Sequence, residues 1–276
     1  MSRNSQVGQD GQPLLSICIP TYNRRELIVR LLNDLLRNQG SFEIRVHDDG
    51  SSDGTAEPLS RLQDTRLHVT SSANQGRANA LAEAVAGATG KFIMLFDDDD
   101  ELFPQGLSQV LADCARSLPS GVAGYVYHLS DDAGMRLGDG FPTTKSNFLQ
   151  LRNDFGVRGD KKEVVLTDLL KPIVMESRTL GRRVPTSLYW GTIALKHDVI
   201  CRNVEIGRKH YEKDGMSDKI GRLKRGNPGP LVALYRTHAS GFRRGRFRSL
   251  VAAARAILAL AYHYAKMVSS RAAGRR

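Results

Sequence analysis

The sequence predicts an α/β fold in which a mainly parallel sheet is covered by helices on both faces. Three observations carry that prediction. Apolar runs too short for helices alternate with longer stretches of helical periodicity, the pattern of strand and crossover helix. The first strands each end in a cluster of polar residues, and ligands of such sheets bind beyond the carboxyl ends of the strands. One cluster is extreme: Asp97, Asp98, Asp99 and Asp100 directly follow the apolar run at 92–96.

The elements follow in order. Residues 14–19, LLSICI, are a first buried strand stopped by Pro20. Leu27, Leu31, Leu32 and Leu35 then recur at helical spacing, with Asn23 as the expected cap. Phe42, Ile44 and Val46 alternate as a second strand, before Asp48, Asp49, Gly50, Ser51 and Ser52 make a tight loop. A third short strand covers 66–70, and an Ala-rich helix begins at Asn74 and ends near Gly87 and Gly90. The fourth strand leads into the aspartates, followed by a helix over 106–118 and a strand over 122–129. From 130 to about 163 the pattern dissolves into Gly, Asp and Lys, which reads as a long mobile segment between two halves. The second half resumes at VVLTDLLKPI and ends at PLVALYRTH, which reads as a strand carrying Arg236 and His238. The expected divisions are a disordered lead at 1–13, a ligand-binding half at 14–129, an acceptor-binding half at 130–242 and a basic tail at 243–276.

The polar start has no apolar stretch of a signal peptide, and no uncharged run is long enough to span a bilayer, so a cytoplasmic protein is expected. Cys18, Cys114 and Cys201 are far apart and lack metal-ligand spacing, which suggests neither a disulfide framework nor zinc and fits a reducing compartment. The net charge of +11 is uneven, because from Gly241 onward there are nine Lys and Arg and no Asp or Glu.

Four adjacent carboxylates repel one another unless a cation neutralises them. A hard divalent ion, Mg²⁺ or Mn²⁺, suits carboxylate oxygens and bridges to substrate phosphates; an acidic solvated turn is the plainer alternative. The first-strand loop reads Pro20, Thr21, Tyr22, Asn23 and Arg24, so it is not the glycine-rich turn of a dinucleotide-binding dehydrogenase.

Taken in order, IPTYNRRELIVRLLNDLL, DDGSSDGT, NQGRANALAEAVAGATG and FDDDD resemble the family 2 glycosyltransferases of the nucleotide-sugar, GT-A fold type. The resemblance is close over about 14–105 and looser up to about 242. It implies an inverting, metal-dependent enzyme acting on a nucleoside diphosphate sugar, most naturally a uridine diphosphate sugar, with a glycan or lipid-linked saccharide as acceptor. By position it implies that Pro20, Thr21, Tyr22 and Asp49 hold the nucleoside, and that Arg77 approaches the base or phosphates. Asp97, Asp98 and Asp99 match the family's DXD motif, with Asp97 and Asp98 on the nucleotide side and Asp99 on the metal, while Asp100 orients a ligand or water. A general base is expected in HYEKDGMSDKIGRLKRG, where Asp214 is preferred over Glu212 and Asp218. His238 is a further candidate metal ligand and Arg236 a candidate phosphate contact. Trp190 could stack on an acceptor sugar, although a single tryptophan is more often core.

In the tail, Leu250, Ile257, Leu260, Ala261, Tyr264 and Val268 gather opposite Arg255 and Lys266, an amphipathic helix suited to an anionic membrane surface at the inner face of the cell membrane. Packing onto the catalytic domain is the structural alternative. Two other readings compete with glycosyl transfer. A nucleotidyltransferase is disfavoured because the first-strand loop lacks a glycine-rich phosphate cradle. A non-catalytic protein using its basic tail is the other; that tail carries no established DNA or RNA motif, which argues against nucleic acid as a partner.

Overall fold

The computed structural model describes residues 11–210 and 228–273, with side chains as far as residue 269. The apolar run after Pro13 forms β1 (Leu15–Thr21), all of whose residues are buried. It is followed by α1 (Arg25–Leu36), β2 (Phe42–Asp48), α2 (Ala56–Arg61), β3 (Leu67–Ser71), α3 (Arg77–Ala86) and β4 (Phe92–Leu95). This half alternates strand and helix as the sequence predicts. Next come β5 (Asp100–Leu102), α4 (Pro104–Cys114), β6 (Val122–Ser130), β7 (Lys145–Ser146), α5 (Phe148–Asn153) and β8 (Lys161–Leu166). The remaining elements are α6 (Thr167–Ser177), α7 (Thr186–Ala194), β9 (Asp198–Lys209), α8 (Pro228–Arg243) and α9 (Leu250–Ala273).

All strands join one sheet in the order β3-β2-β1-β4-β8-β6-β9-β5, with β7 paired to β9. β3, β2, β1 and β4 are mutually parallel. β8 runs antiparallel between β4 and β6, while β6 and β9 are parallel. The sheet is therefore mixed beyond β4, and its parallel half carries the strand ends where the polar clusters sit.

Side-chain alternation divides the core between the two faces. Ile17 and Ile19 of β1 pack with Ile28, Leu32 and Leu35 of α1 and with Phe92 and Met94 of β4. Cys18, Ile93 and Leu95 point the other way, toward Leu81 and Val85 of α3, Leu170 and Val174 of α6, and Tyr189 and Trp190 of α7. Each such Leu or Ile taken fully out of water contributes about 1.5–3 kcal/mol. The three cysteines are free and buried.

Two expectations are corrected. Residues 130–163 do not form a loose connection: they contain β7, α5 and the start of β8, and Phe141, Leu149, Leu151 and Val157 anchor them at 2–5% exposure. Those apolar residues are spaced too irregularly to announce a strand or helix. The stretch carrying Arg236 and His238 is not a strand but α8. Pro228 and Pro230 sit in its first turn, where a missing N–H costs no hydrogen bond. Leu231, Leu234, Tyr235 and His238 repeat at the i, i+3, i+4, i+7 spacing of a helix face.

The last helix packs on α8 through its smallest side chains. Ala253 and Ala256 are buried, and His263 stacks on Tyr235 with ring centroids 5.6 Å apart. Of the apolar residues expected to group together, Leu260 is half-buried, whereas Leu250, Ile257, Tyr264 and Val268 stay exposed. Among the described residues no helix is long and apolar enough to cross a membrane.

Candidate active site

Parallel register brings the first two strand ends side by side, with Thr21 of β1 directly opposite Asp48 of β2. The Asp49 N–H donates to the Thr21 carbonyl at 2.9 Å. Asp48 then closes the following turn, accepting from the Ser51 N–H at 3.0 Å. Asp49 does something different: its two carboxylate oxygens accept from the Gln75 and Gly76 N–H groups, each at 2.8 Å. These bonds hold residues 74–76 out of the helix, so α3 begins at Arg77 and not at Asn74. Asp48 thus caps the turn, and Asp49 is a buried carboxylate of fixed orientation with lone pairs to spare.

Asn23, expected to cap α1, adopts φ 51° and accepts from the Ser52 N–H at 2.8 Å. Arg24 occupies the cap position instead. Asparagine tolerates this left-handed conformation, and its side chain ties the first strand loop to the second. Pro20 lies buried within β1, and Tyr22, just beyond the end of that strand, is 46% exposed.

The four aspartates have separate environments. Asp97 and Asp99 are the accessible pair, with side chains 32% and 19% exposed, against 7% for Asp98 and 0% for Asp100. Asp97 is paired with Arg77 at the first turn of α3 and lies 3.7 Å from Lys209. Burial alone would raise its pKa, but Arg77, Lys162 and Lys209 outweigh burial and hold it well below the usual carboxylate range. Asp98 accepts from the Thr21 hydroxyl at 2.7 Å and from Arg24 Nη1 at 2.9 Å. Its burial still pushes it up to about 6 against those two partners. Asp99 meets the same Arg24 nitrogen at 2.6 Å. Asp100 turns into the protein between Lys162 at 3.1 Å and Lys209 at 3.4 Å. Arg24, Arg77, Lys162 and Lys209 therefore compensate the cluster from four separate segments.

The far wall comes from the second half. The Ala78 N–H donates to the Arg182 carbonyl at 3.0 Å, and the Arg182 guanidinium meets the Asn74 side chain. A Cβ on Gly76 would lie 2.7 Å from that carbonyl, and φ there is +96°, so only glycine fits this seam. Arg183 faces Arg77 and Asp97; burial and the neighbouring Arg77 lower its pKa. The wall is thus basic beside an acidic floor.

Other candidates are not brought to this cluster. His238 and Arg236 lie on α8, which packs on α7 and α9; His238 faces Tyr235 and Arg152, and Arg236 is exposed. Among the described residues no contact joins either to Asp97, Asp98, Asp99 or Asp100. Trp190 is core at 7% exposure, packed against Phe148 and Tyr189. Glu212, Asp214 and Asp218 lie outside the described residues.

The residues the sequence reading missed are the cations. Arg24 stood in plain view in the first-strand loop. Lys162 is signalled by alternation, since it shares a face with core Val164, and Arg183 and Lys209 carry no local signal.

The donor set fits a hard divalent ion. Among the described residues no group of three or more His, Cys, Asp or Glu forms a cage. Mg²⁺ and Mn²⁺, however, are held by one or two carboxylates with substrate phosphates completing the shell, and Asp97 and Asp99 are the two that reach the cleft.

A sequence model described as Glycosyl transferase family 2 matches residues 16–161, more than half of the chain. The chain belongs to glycosyl transferase family 2. The matched span runs from within β1 to the start of β8, hence over every residue of the acidic floor and Arg77. Relatives in this family include the putative colanic acid biosynthesis glycosyl transferase WcaA of Escherichia coli, 35% identical over 104 residues that cover 36% of this chain and 37% of that protein. The abequosyltransferase RfbV of Salmonella typhimurium is 34% identical over 103 residues, 34% of this chain and 31% of that protein. The similar segments thus span about a third of these relatives. Among solved structures, S. aureus TarS 1-349 in complex with UDP-GlcNAc superposes with TM-score 0.60 at 18% identity, over 83% of this chain and 72% of TarS. The mannosyltransferase PcManGT of Pyrobaculum calidifontis, in complex with GDP-Man and Mn²⁺, superposes with TM-score 0.55 at 18% identity, over 96% of this chain and 81% of that one. These likenesses identify the GT-A type of fold, as the sequence predicts.

Proposed function

We propose that the protein is an inverting, metal-dependent glycosyltransferase that moves a sugar from a nucleoside diphosphate donor, a uridine diphosphate sugar, to a hydroxyl of a glycan or lipid-linked saccharide in cell-surface polysaccharide or lipopolysaccharide synthesis. The observation that carries this reading is the meeting of Thr21, Asp49, Arg77 and the Asp97–Asp99 carboxylates at the carboxyl edge of parallel strands in a family 2 chain.

In this reading Pro20, Thr21, Tyr22 and Asp49 frame the nucleoside. Asp97 and Asp98 order the ribose side, and Arg77 and Arg183 face the phosphates. Asp99, with Asp97 beside it, would hold Mn²⁺ or Mg²⁺. When bound, that ion supplies Lewis-acid neutralisation of the departing diphosphate. The acceptor oxygen attacks the anomeric carbon from the face opposite the diphosphate. A new C–O bond forms, the bond to the diphosphate oxygen breaks with its electron pair, and the acceptor proton passes to a carboxylate, for which Asp214 is the choice. Binding of UDP-GlcNAc by TarS and of GDP-Man with Mn²⁺ by PcManGT supports a nucleotide-sugar donor without fixing the sugar. His238 and Arg236 keep at most an indirect role in the reading, given their place on α8.

Calorimetric titration of UDP tests the site. Binding is expected in Mn²⁺ and lost in EDTA, and turnover should release nucleoside diphosphate. Failure of every nucleoside diphosphate to bind, or release of pyrophosphate instead, overturns the reading.

The lipid-linked acceptor gains support from α9. Its outward face exposes Leu250 at 73%, Leu258 at 70% and Tyr262 at 61%, and Arg255 lies beside that stripe. A helix docked by alanines that leaves its large apolar groups outside suits the interface of an anionic inner leaflet. Ile257→Glu with Leu258→Glu should weaken co-sedimentation with anionic vesicles by at least about tenfold while leaving the fold intact. Equal retention of the variant, or no vesicle binding by the native protein, would remove membrane attachment from the proposal.

A further inference from the structure

We infer that Arg24 is a resident counter-ion of the aspartate loop: it bridges Asp98 and Asp99, the second of them the carboxylate that metal would need, and yields only to metal arriving with a nucleoside diphosphate. This rests on the metal-dependent reading above. A single nitrogen, Nη1, lies 2.9 Å from Asp98 Oδ1 and 2.6 Å from Asp99 Oδ2, the bridging arrangement a cation adopts between two carboxylates. These are not surface pairs, since the three side chains are only 24%, 7% and 19% exposed.

The backbone around Arg24 is held while its side chain has length to move. Arg24 sits at the non-helical cap position of α1. On one side the Asn23 N–H donates to Ser51 Oγ at 2.8 Å, and on the other the Arg25 N–H donates to Asp53 at 3.0 Å. The guanidinium can therefore leave the aspartates without unwinding either element.

Charge balance gives the order of events. The four aspartates already face Arg24, Arg77, Lys162 and Lys209. A free dication entering beside Arg24 would add like charge to a compensated, poorly hydrated site. A nucleoside diphosphate brings its own negative charge and offers the guanidinium a bidentate phosphate partner. Metal and nucleotide then enter as one neutralising unit, with Arg24 passing from carboxylate to phosphate. Arg24 is in this sense a positioning residue that keeps Asp99 ordered and closed to free ions.

Electron paramagnetic resonance of unbound Mn²⁺ measures the affinity directly in the native protein, Arg24→Gln and Arg24→Lys, each with and without UDP. The native protein and Arg24→Lys are expected to bind Mn²⁺ weakly alone and at least about tenfold more tightly with UDP. Arg24→Gln should take up Mn²⁺ at least about tenfold more tightly than the native protein in the absence of UDP. Unchanged or weaker uptake by folded Arg24→Gln overturns the inference while leaving the metal-dependent reading intact. The native protein alone is decisive if that variant does not fold, because equal Mn²⁺ affinity with and without UDP also overturns it. No Mn²⁺ binding under any condition would sink the metal-dependent reading and this inference together.

Discussion

Asp99→Asn is expected to lower kcat/KM by about a thousandfold, about 4 kcal/mol of transition-state stabilisation, while the melting temperature stays within a few degrees of the native value. The two halves of this expectation have different origins. Asparagine keeps the shape of the carboxylate but loses the charge, and a neutral amide oxygen is a poor ligand for a hard cation. The fold tolerates the change because Asp99 is partly exposed and Arg24, which meets it, retains Asp98 at 2.9 Å. Removing one negative charge from a run of four also relieves repulsion that the native loop carries. Steady-state kinetics with donor and acceptor, beside a thermal melt, checks both. A variant with native turnover would remove Asp99 from the metal role, and one that unfolds would make it a structural residue like its neighbour Asp100.

That two adjacent aspartates should behave so differently was not legible in the sequence, where all four look alike. What could be read was the frame. The runs at 14–19 and 42–48 announce buried strands by composition and alternation, and α1 by the spacing of Leu27, Leu31, Leu32 and Leu35. Their order places the polar clusters at one edge, because consecutive parallel strands expose the same end. Arg77 was named from its motif, but that four cations neutralise the aspartates was not legible. The cations come from residues 24, 77, 162 and 209, joined only by the sheet, and β8 reaches the centre of that sheet from a segment whose composition resembles a linker. The exchange of strand for helix at α8 was avoidable, since Leu231, Leu234, Tyr235 and His238 carry the helical period. The face of α9 was legible only in part. Opposition of apolar and basic residues suggests one apolar side, whereas the packing uses Ala253 and Ala256 as the docking face and leaves Ile257 and Leu258 outside.

Asp100→Ala is expected to cost about 3–5 kcal/mol of stability, seen as a melting temperature lowered by about 10 °C, and to lower activity only through loss of folded protein. Asp100 has no exposed side-chain surface, Lys162 is 7% exposed and Lys209 15%. Lys162 donates to Asp100 at 3.1 Å and to the Leu95 carbonyl at 3.4 Å, which pins β8 to the end of β4. Lys209 stands opposite Asp100 in the β5–β9 ladder. Burial alone would push the Lys209 ammonium down, but Asp100, Asp97 and Asp160 outweigh it and hold it above the ordinary lysine range. Taking Asp100 away leaves Lys162 without its carboxylate and Lys209 facing the more distant Asp97 and Asp160 at 3.7 and 3.8 Å. The penalty is that of stranding buried charge and not the net worth of the ion pair, so it should shrink when the stranded group is removed as well. Asp100→Leu combined with Lys162→Met therefore recovers much of the loss, and the double-mutant cycle measures the coupling. A melt shifted by less than about 2 °C in Asp100→Ala would mean that water reaches the two lysines, and the buried pairing would cease to explain why the fourth aspartate of the run points inward.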